Sequence, residues 1–275
     1  MSVSKSQILK ISGVLPLDVQ KFLEEDSVFN RYIIGDVSKY GLDSDVVDLW
    51  VGMYAESVSF VLMRYMNSFV ISPIKHDYDA PDIKRLFWNK KIRCISGCED
   101  SVKKLSRFFR QYHVEENKLM ILDKKEFDHS AKGRHVFSKV RRLEICESKR
   151  IQEVYTNNNE FKDRYAGKEG LDRIQEIFNN GTYYGYEDAD ELVGVACLSA
   201  DNGTGGVLDG VAIKDERQGN GYGQKLVLGI CDIEMQNKSQ MVVYCSSAVA
   251  EHIYQKIGFR EHGKYALLYP ANQGV

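Results

Sequence analysis

The chain has 275 residues, 43% of them hydrophobic and 11% aromatic, which is enough for buried cores in one large domain or two small ones. Its 37 lysines and arginines nearly balance its 39 aspartates and glutamates, and the formal charge of -2 gives no electrostatic reason to expect nucleic acid as a partner. No apolar run approaches the length of a membrane span, and Lys10 and Gly13 interrupt the apolar stretch near the N-terminus. These features predict a soluble, cytoplasmic protein with no membrane partner.

The first half of the chain has the spacing of apolar residues that is typical of mixed helices and strands. Residues 17–40 have helical spacing, interrupted at Gly35 and ended at Gly41, which predicts one or two helices. In chain order, the segments that follow are predicted to form a hairpin at 48–54 and 57–65, a strand at 67–72, a helix at 81–88, a strand at 92–96, a helix at 100–112 and a strand at 118–122. Trp50 and Trp88 are expected to be core residues of this half.

The polar stretch 123–134 has little apolar content and is the best position for a linker. We therefore predict two domains, residues 1–136 and 137–275. The second domain is predicted to contain a strand at 142–146, helices at 148–161 and 169–178, a hairpin at 182–186 and 192–199, a strand at 206–213, a helix through Leu226, Ile230 and Ile233, a strand at 241–245, a helix ended by Gly258, and a closing pair of strands at 259–269.

The two halves share an order of elements. Residues 51–54 begin a hairpin much as residues 184–187 do, and the pattern of residues 95–109 matches that of residues 243–259. The first half lacks a glycine-rich turn that the second half has between these matching segments. The order predicts an α/β fold, with a mixed, mostly antiparallel sheet flanked by helices in each half.

Cysteine and histidine residues lack the spacing of metal ligands. Cys94 and Cys98 form a single C-x3-C with no second pair and no nearby histidine, and the six histidines lie far apart in the sequence. We predict no metal site. The other cysteines lie in apolar segments, where a reduced thiol is a small core residue, and these are Cys146, Cys197, Cys231 and Cys245.

The turn Gln218-Gly219-Asn220-Gly221-Tyr222-Gly223 lies between an apolar strand and a long amphipathic helix. Glycines let successive backbone N–H groups converge without obstruction by Cβ atoms, and the positive end of the helix dipole adds to them. This arrangement suits a diphosphate group. A tight turn between strand and helix, without a ligand, explains the same glycines.

Two segments at the right separation resemble the GCN5-related N-acetyltransferase (GNAT) superfamily. Gln218-x-x-Gly221-x-Gly223 is similar to the family signature Q/R-x-x-G-x-G/A, and AEHIYQKIGF, which begins at Ala250, is similar to its A-x-x-x-Y-x-x-x-G-F helix. The likeness covers residues 140–269 in full element order. The first half resembles a degenerate domain of the same kind without the coenzyme A (CoA) motif. The resemblance implies tandem GNAT-like domains, with acetyl-CoA as co-substrate of the second and no metal.

The resemblance also implies roles for individual residues. The strand with Val211, Ala212 and Ile213 would part from its neighbour and pair with the pantetheine arm, and the Val211 N–H would stabilise the oxyanion. The backbone of the glycine turn would hold the pyrophosphate, through Gln218, Gly219, Asn220, Gly221, Tyr222 and Gly223.

The helix predicted after the strand at 241–245 contains two further candidate site residues. Tyr254 would donate a proton to the departing thiolate, although a packing role explains a tyrosine there as well. Ser247 stands at the start of the same helix, where many family members have asparagine, and is a candidate for binding CoA. A role as helix N-cap is an adequate alternative account of it.

Asp209 is the predicted general base, because family members commonly place a carboxylate on the strand before the turn. Strand alternation puts it on the same face as Val211 and Ile213. It is one carbon shorter than the usual glutamate, and a solvated carboxylate or one that caps the turn near Gly210 is the alternative. The weaker candidates are Glu216, Tyr184 and Cys245.

The predicted function is transfer of an acetyl or short acyl group from CoA to a primary amine, by direct attack in a ternary complex. The acceptor is a small molecule or a peptide or protein amine, and the protein is a monomer or a homodimer. One alternative is a CoA-binding sensor without catalysis. Another is transfer of an aminoacyl group from a charged tRNA, which the near-neutral charge and the intact CoA signature disfavour.

Overall fold

A computed structural model of the protein describes residues 7–75, 80–131 and 139–271. The chain divides into two compact units. Unit 1 consists of the residues up to Leu119 together with those from His262 onward, and unit 2 is Met120–Glu261. The predicted boundary between residues 136 and 137 lies outside the described residues and stays a prediction.

The first part of the chain forms five strands and four helices among the described residues. They are β1 (Gln7–Ile11), α1 (Leu17–Glu24), α2 (Arg31–Tyr40), β2 (Val47–Tyr54), β3 (Ser57–Tyr65), β4 (Ser68–Ile71), α3 (Ala80–Leu86), β5 (Cys94–Cys98) and α4 (Glu99–Ser106). The predicted hairpin and third strand are confirmed as β2, β3 and β4. Gly35 does not interrupt a helix, because it is a buried residue within α2.

The remaining elements follow the predicted order except at α5 and at the last strand. They are β6 (Tyr112–Asp123), α5 (Lys124–Ala131), β7 (Val140–Arg142), α6 (Ser148–Thr156), α7 (Gly167–Asn180), β8 (Thr182–Asp188), β9 (Glu191–Ser199), β10 (Gly205–Ile213), α8 (Tyr222–Glu234), β11 (Gln240–Cys245), α9 (Ala248–Ile257) and β12 (Arg260–Pro270). Short 3-10 turns lie at Ile145–Glu147 and Asp215–Arg217. Gly258 ends α9 in the left-handed conformation, as predicted.

Three predicted elements are wrong. The segment 142–146, predicted to be a strand, contains only the last residue of β7 and then part of a 3-10 turn at Ile145–Glu147. Much of the predicted linker is helix α5, which the buried side chain of Phe127 anchors in the core of unit 2. The predicted closing pair of strands is the single strand β12. Gly263 serves packing in this strand, because a Cβ atom there would lie 2.7 Å from the ring of Phe29.

The sheets of the two units have the same plan. The strand order is β1-β2-β3-β4-β5-β12 in unit 1 and β7-β8-β9-β10-β11-β6 in unit 2, to which β6 belongs only from Met120 onward. In each unit the first three pairings are antiparallel and the fourth, β4 with β5 or β10 with β11, is parallel. The predicted fold class and internal repeat are confirmed. The sixth strand of each unit comes from the other half of the sequence, which was not predicted.

Helices cover both faces of each sheet. In unit 1, α1 and α2 contribute to one core cluster and α3 and α4 to the other, and in unit 2 the two clusters involve α6 with α7 and α8 with α9. Trp50 is a core residue as predicted, but Trp88 is 75% exposed, because its neighbour Phe87 takes the buried position. Cys146 is also exposed, contrary to prediction, while the thiols of Cys197, Cys231 and Cys245 are buried. None of the helices in the described ranges combines the length and apolar character needed to cross a bilayer.

Asp36 on α2 gives unit 1 a pH-dependent stability. Burial raises the pKa of its carboxyl to about 7, and the charge of Lys39 opposes this only in part. The pKa of Asp36 is higher in the folded state than its unfolded value of about 4, so protonation of this carboxyl favours folding at low pH. The resulting contribution to stability is complete below about pH 4 and is lost as the pH rises through about 7. We therefore expect Asp36→Asn to raise the free energy of unfolding by about 2 kcal/mol or more at about pH 8, and to change it little at about pH 4.

Urea denaturation at the two pH values measures this effect. Asp45→Asn is the matched control, since Asp45 is an exposed carboxylate in the same unit, and it is expected to leave stability unchanged at both. An equal gain for Asp36→Asn at both pH values would contradict the role of the buried carboxylate.

Candidate functional site

The parallel strands β10 and β11 part within unit 2. Their pairing runs from Gly205 opposite Gln240 to Leu208 opposite Val243. Beyond Leu208, β10 continues to Ile213 along β9. The predicted parting of these strands is therefore confirmed, and Val211, Ala212 and Ile213 lie in the part of β10 that follows it.

A β-bulge interrupts β10 where the strands part. The register with β9 shifts between Asp209 and Ala212, and Gly210 has a φ of +59°. The hydroxyl of Tyr155 on α6 donates a 2.9 Å hydrogen bond to the Gly210 carbonyl. A Cβ atom on Gly210 would lie 2.6 Å from this hydroxyl, so both the backbone conformation and the contact require glycine.

The bulge overturns the prediction that Asp209 shares a face with Val211 and Ile213. Asp209 lies opposite Cys197, which belongs to the core under α6 and α7. Val211 and Ile213 belong instead to the core under α8 and α9. The extra residue of a bulge breaks the alternation of faces, and simple counting along the strand cannot anticipate it.

Gly210→Ala tests the bulge. We expect it to lower the free energy of unfolding by about 2 kcal/mol or more, from backbone strain and from the contact with the Tyr155 hydroxyl. Tyr155→Phe removes that hydroxyl and should cost about 1 kcal/mol for the lost hydrogen bond. Because the double variant has no clash, its cost should be smaller than the sum of the two single costs, as urea denaturation can measure. If the cost of the double variant equals the sum of the two single costs, an alanine at position 210 does not clash with the Tyr155 hydroxyl.

The glycine turn leads directly into α8 and is open to solvent. Gly219 and Gly221 have φ values of +79° and +75°, and a Cβ atom at either position would meet nothing within 4 Å. Glycine is therefore needed at both positions for the backbone conformation, and the outer side of the turn stays open to a ligand. Gly223 is in the first turn of α8, where an added Cβ would be 3.6 Å from Ile253.

The first N–H groups of α8 have no side-chain partner in the part of the chain that the structure describes. The first N–H groups of an α-helix lack intrahelical acceptors and carry the positive end of the helix dipole. The neighbouring helix α9 differs, because the Ser247 hydroxyl accepts a 3.2 Å hydrogen bond from the Ala250 N–H. Ser247 is thus an N-cap, which was the alternative account of it, while α8 keeps its donors for an external acceptor.

Side chains of the turn hold its shape. The Gln218 amide donates to the Asp215 carboxylate at 2.8 Å, and the Asn220 amide donates to the Gln218 carbonyl at 3.1 Å. The Tyr222 hydroxyl donates to Asp188 at 2.7 Å. These bonds fix the backbone before any ligand arrives, so that the N–H groups of the turn are preorganised.

Tyr254 lies on α9, in the core of unit 2. Its side chain is 5% exposed and is part of the cluster that includes Cys245, Ile257 and Phe259. Burial, followed by the nearby Cys245 and Asp209, raises the pKa of the Tyr254 hydroxyl, which is therefore protonated at neutral pH. Within the described residues this hydroxyl has no hydrogen-bond acceptor.

Two carboxylates lie close enough to Tyr254 to affect its titration. Asp209 is partly exposed and accepts a 2.8 Å hydrogen bond from the Ser199 hydroxyl. Glu160, which the sequence did not single out, is exposed and, after burial, Cys245 and Asp209, also raises the pKa of Tyr254. The loop of Glu160 is held against β10, because the Asn158 amide donates to the Ile213 carbonyl at 2.9 Å.

The structure places the weaker candidates differently. Glu216 is exposed on the 3-10 turn before the glycine turn. The Tyr184 hydroxyl donates to the buried carboxylate of Glu234, which also pairs with Arg142 at 2.8 Å, and this is a structural network of the core. The Cys245 thiol is buried and donates to the Ser247 carbonyl at 3.2 Å. No cluster of three potential metal ligands occurs among the residues described.

Unit 1 has a different arrangement at the corresponding strands. All of β4 pairs with β5, from Ser68 opposite Cys94 to Ile71 opposite Gly97. The sequence between β4 and α3 contains no glycine. The parted strands and the glycine turn thus occur together in unit 2, as the comparison of the two halves predicts.

Comparison with known proteins identifies this part of unit 2. The family model described as an acetyltransferase (GNAT) domain matches residues 179–261. These residues are thus similar to a GNAT acetyltransferase domain. The match spans β8 to α9 and thus includes the parted strands, the glycine turn and Tyr254. A search of curated proteins by sequence finds no match.

Solved structures extend the likeness in fold to nearly the whole chain. A protein from Drosophila aligns with a TM-score of 0.66 at 12% identity, over 98% of this chain and 100% of its own. A tandem GNAT protein from the clavulanic acid biosynthesis pathway has a TM-score of 0.56 at 10% identity, over 98% and 100%. A GNAT-like protein from Streptococcus suis has a TM-score of 0.51 at 11% identity, over 91% and 99%. At these identities the likeness concerns the fold, and it confirms the predicted tandem GNAT-like architecture.

Proposed function

We propose that the protein transfers an acetyl or short acyl group from CoA to a primary amine, and that unit 2 carries the site. The observation that carries this proposal is the uncapped start of α8 behind the open glycine turn, next to the point where β10 and β11 part. A GNAT domain model matches this same segment. The donor site would therefore consist of an anion-binding turn and a strand segment that continues past its partner.

The residues present fit acyl-CoA. The backbone N–H groups from Gly219 to Gly223 would bind the pyrophosphate, because no Cβ atom obstructs the outer side of Gly219 or Gly221. Val211, Ala212 and Ile213 would bind the pantetheine arm along β10, and the Val211 N–H would bind the thioester oxygen. When bound, acyl-CoA supplies the activated acyl group.

Tyr254 and Asp209 are the proposed proton-transfer residues. Tyr254 stays protonated at neutral pH because it is buried, so its hydroxyl can donate to the sulfur as negative charge develops there. Asp209 would accept the proton of the amine, and the hydrogen bond from Ser199 holds its carboxylate at the bulge. Glu160 is the second carboxylate near Tyr254 and would attract a cationic amine to the same place.

Two measurements test the proposal. Isothermal titration of acetyl-CoA into cofactor-stripped protein is expected to show one site with a micromolar dissociation constant, as is typical of enzyme substrates. Release of free CoA should then follow with members of an amine panel that includes polyamines, amino acids and lysine peptides, as detected by a thiol reagent. An absence of acetyl-CoA binding would overturn the proposal. Binding without CoA release for any amine would favour the sensor alternative.

A further inference from the structure

The positive charge of the protein is concentrated in one segment of unit 1. Residues 84–110 contain nine of the 37 lysines and arginines but only two of the 39 aspartates and glutamates. The segment thus carries a formal charge of +7 in a chain whose total is -2. The prediction that nucleic acid is not a partner relied on the whole-chain charge, which hides this asymmetry.

The side chains of these nine residues are all exposed. Arg85 pairs with Asp82 at 3.3 Å, and Lys103 pairs with Glu99 and with Glu116. Six of them have no carboxylate partner within 4.0 Å in the described ranges, and these are Lys84, Lys90, Lys91, Arg93, Arg107 and Arg110. Unpaired, exposed cations are available to an external anion.

Part of this charge lines two depressions that share Arg107, which together we call the basic groove. Helices α3 and α4 pack on the same core through Ile83, Val102 and Leu105, so their outer surfaces are neighbours. One section of the groove, of about 400 Å³, is lined by Lys103, Lys104 and Arg107 among others. The adjoining section, of about 610 Å³, is lined by Arg107 together with Lys84, Phe108, Phe109, Arg110 and Tyr112.

The basic groove combines cations with aromatic rings. The ammonium of Lys84 lies 5.9 Å from the centre of the Phe108 ring. The ring centres of Phe109 and Tyr112 are 5.1 Å apart. Grooves that bind single-stranded nucleic acids have this composition, since the cations follow the phosphates and the rings stack on bases. A lipid surface is flat, and a protein that binds it needs no concave site.

We propose that the basic groove binds single-stranded nucleic acid. Lys84, Arg107 and Arg110 contact successive phosphates, and Phe108 stacks on a base. Backbone contacts of this kind are independent of base sequence, and the 2′-hydroxyl groups would distinguish RNA from DNA if the groove contacts them. This inference concerns unit 1 and does not depend on the acyltransferase activity.

Fluorescence anisotropy with the full chain and labelled 12-mers of uridine or thymidine tests the proposal. Three phosphate contacts predict a slope of about -2 for log affinity against log salt between about 50 and 200 mM KCl. The variant Lys84→Glu/Arg107→Glu/Arg110→Glu is expected to bind at least about tenfold more weakly, with a slope near zero. Phe108→Leu keeps every charge, so it should weaken binding several-fold and leave the slope unchanged.

A matched control separates the groove from overall charge. Lys149→Glu/Lys168→Glu/Lys256→Glu makes the same change in net charge at exposed positions of unit 2 and is expected to keep wild-type binding. Circular dichroism and thermal melting check that each variant is folded. Equal losses in both triple variants would overturn the proposal, as would an absence of oligonucleotide binding. Binding to phosphatidylserine vesicles without binding to either 12-mer would replace nucleic acid with a membrane surface.

Discussion

Replacing Tyr254 with phenylalanine is expected to lower kcat about 100-fold, because a positioned proton donor typically contributes a factor of 100 or more. The acetyl-CoA dissociation constant should change little, since the proposed binding groups are the backbone of the glycine turn and of β10. The substitution removes only the hydroxyl group, and the ring that packs against Phe259 stays in place. Single-turnover kinetics and isothermal titration on the same preparation measure the two quantities separately.

Tyr186→Phe is the control for this variant. Tyr186 lies in the same core cluster and is 4% exposed, so the substitution removes a hydroxyl from an equally buried ring. It should leave kcat within about twofold of the wild type, since no proton transfer depends on it. If Tyr254→Phe retains full kcat, Tyr254 is a packing residue, which is the alternative that the sequence left open.

Gly221→Asp is expected to weaken acetyl-CoA binding about 100-fold or more. The new carboxylate would lie beside the N–H groups at the start of α8 and would compete with a ligand for them. These are the groups proposed to bind the pyrophosphate, and the new negative charge would also repel it. Loss of a few charge-assisted hydrogen bonds of about 1.5 to 3 kcal/mol each accounts for the effect.

Gly203→Asp is the matched control, because Gly203 has a φ of +84° and open space around it, in a turn between β9 and β10. Both variants place the same side chain at a left-handed position, at a cost of about 1 kcal/mol each in stability. Titration of acetyl-CoA should separate them, with Gly203→Asp close to the wild type. Similar weakening in both would mean that backbone strain, and not occupation of the α8 donors, is responsible.

The turn chemistry of unit 2 was predictable because its signals are local. Glycine spacing and the Tyr254 helix pattern specify conformations within a few residues, and the structure has left-handed glycines and a helix at those positions. The tandem fold was predictable for a similar reason, since the same order of elements occurs twice. Binding of CoA at this turn stays a prediction.

Other features depend on contacts between residues far apart in the sequence. The bulge at Gly210 requires Tyr155, which lies 55 residues earlier, and it moved Asp209 to the opposite face from Val211. Glu160 contributes to the raised pKa of Tyr254, and Asn158 holds its loop against the end of β10. The basic groove does not show in the whole-chain composition for a different reason. The charge of +7 in residues 84–110 is offset by acidic residues elsewhere in the sequence.

The exchange of the sixth strands has a consequence for synthesis of the protein. Unit 1 needs β12, whose Tyr265, Ala266, Leu267 and Leu268 pair with β5, although the rest of unit 1 is translated before Met120. During synthesis β5 therefore lacks this partner strand until more than 140 further residues of unit 2 have been translated. A frameshift or premature stop after α9 would spare the GNAT motifs and yet leave unit 1 without the strand that pairs with β5.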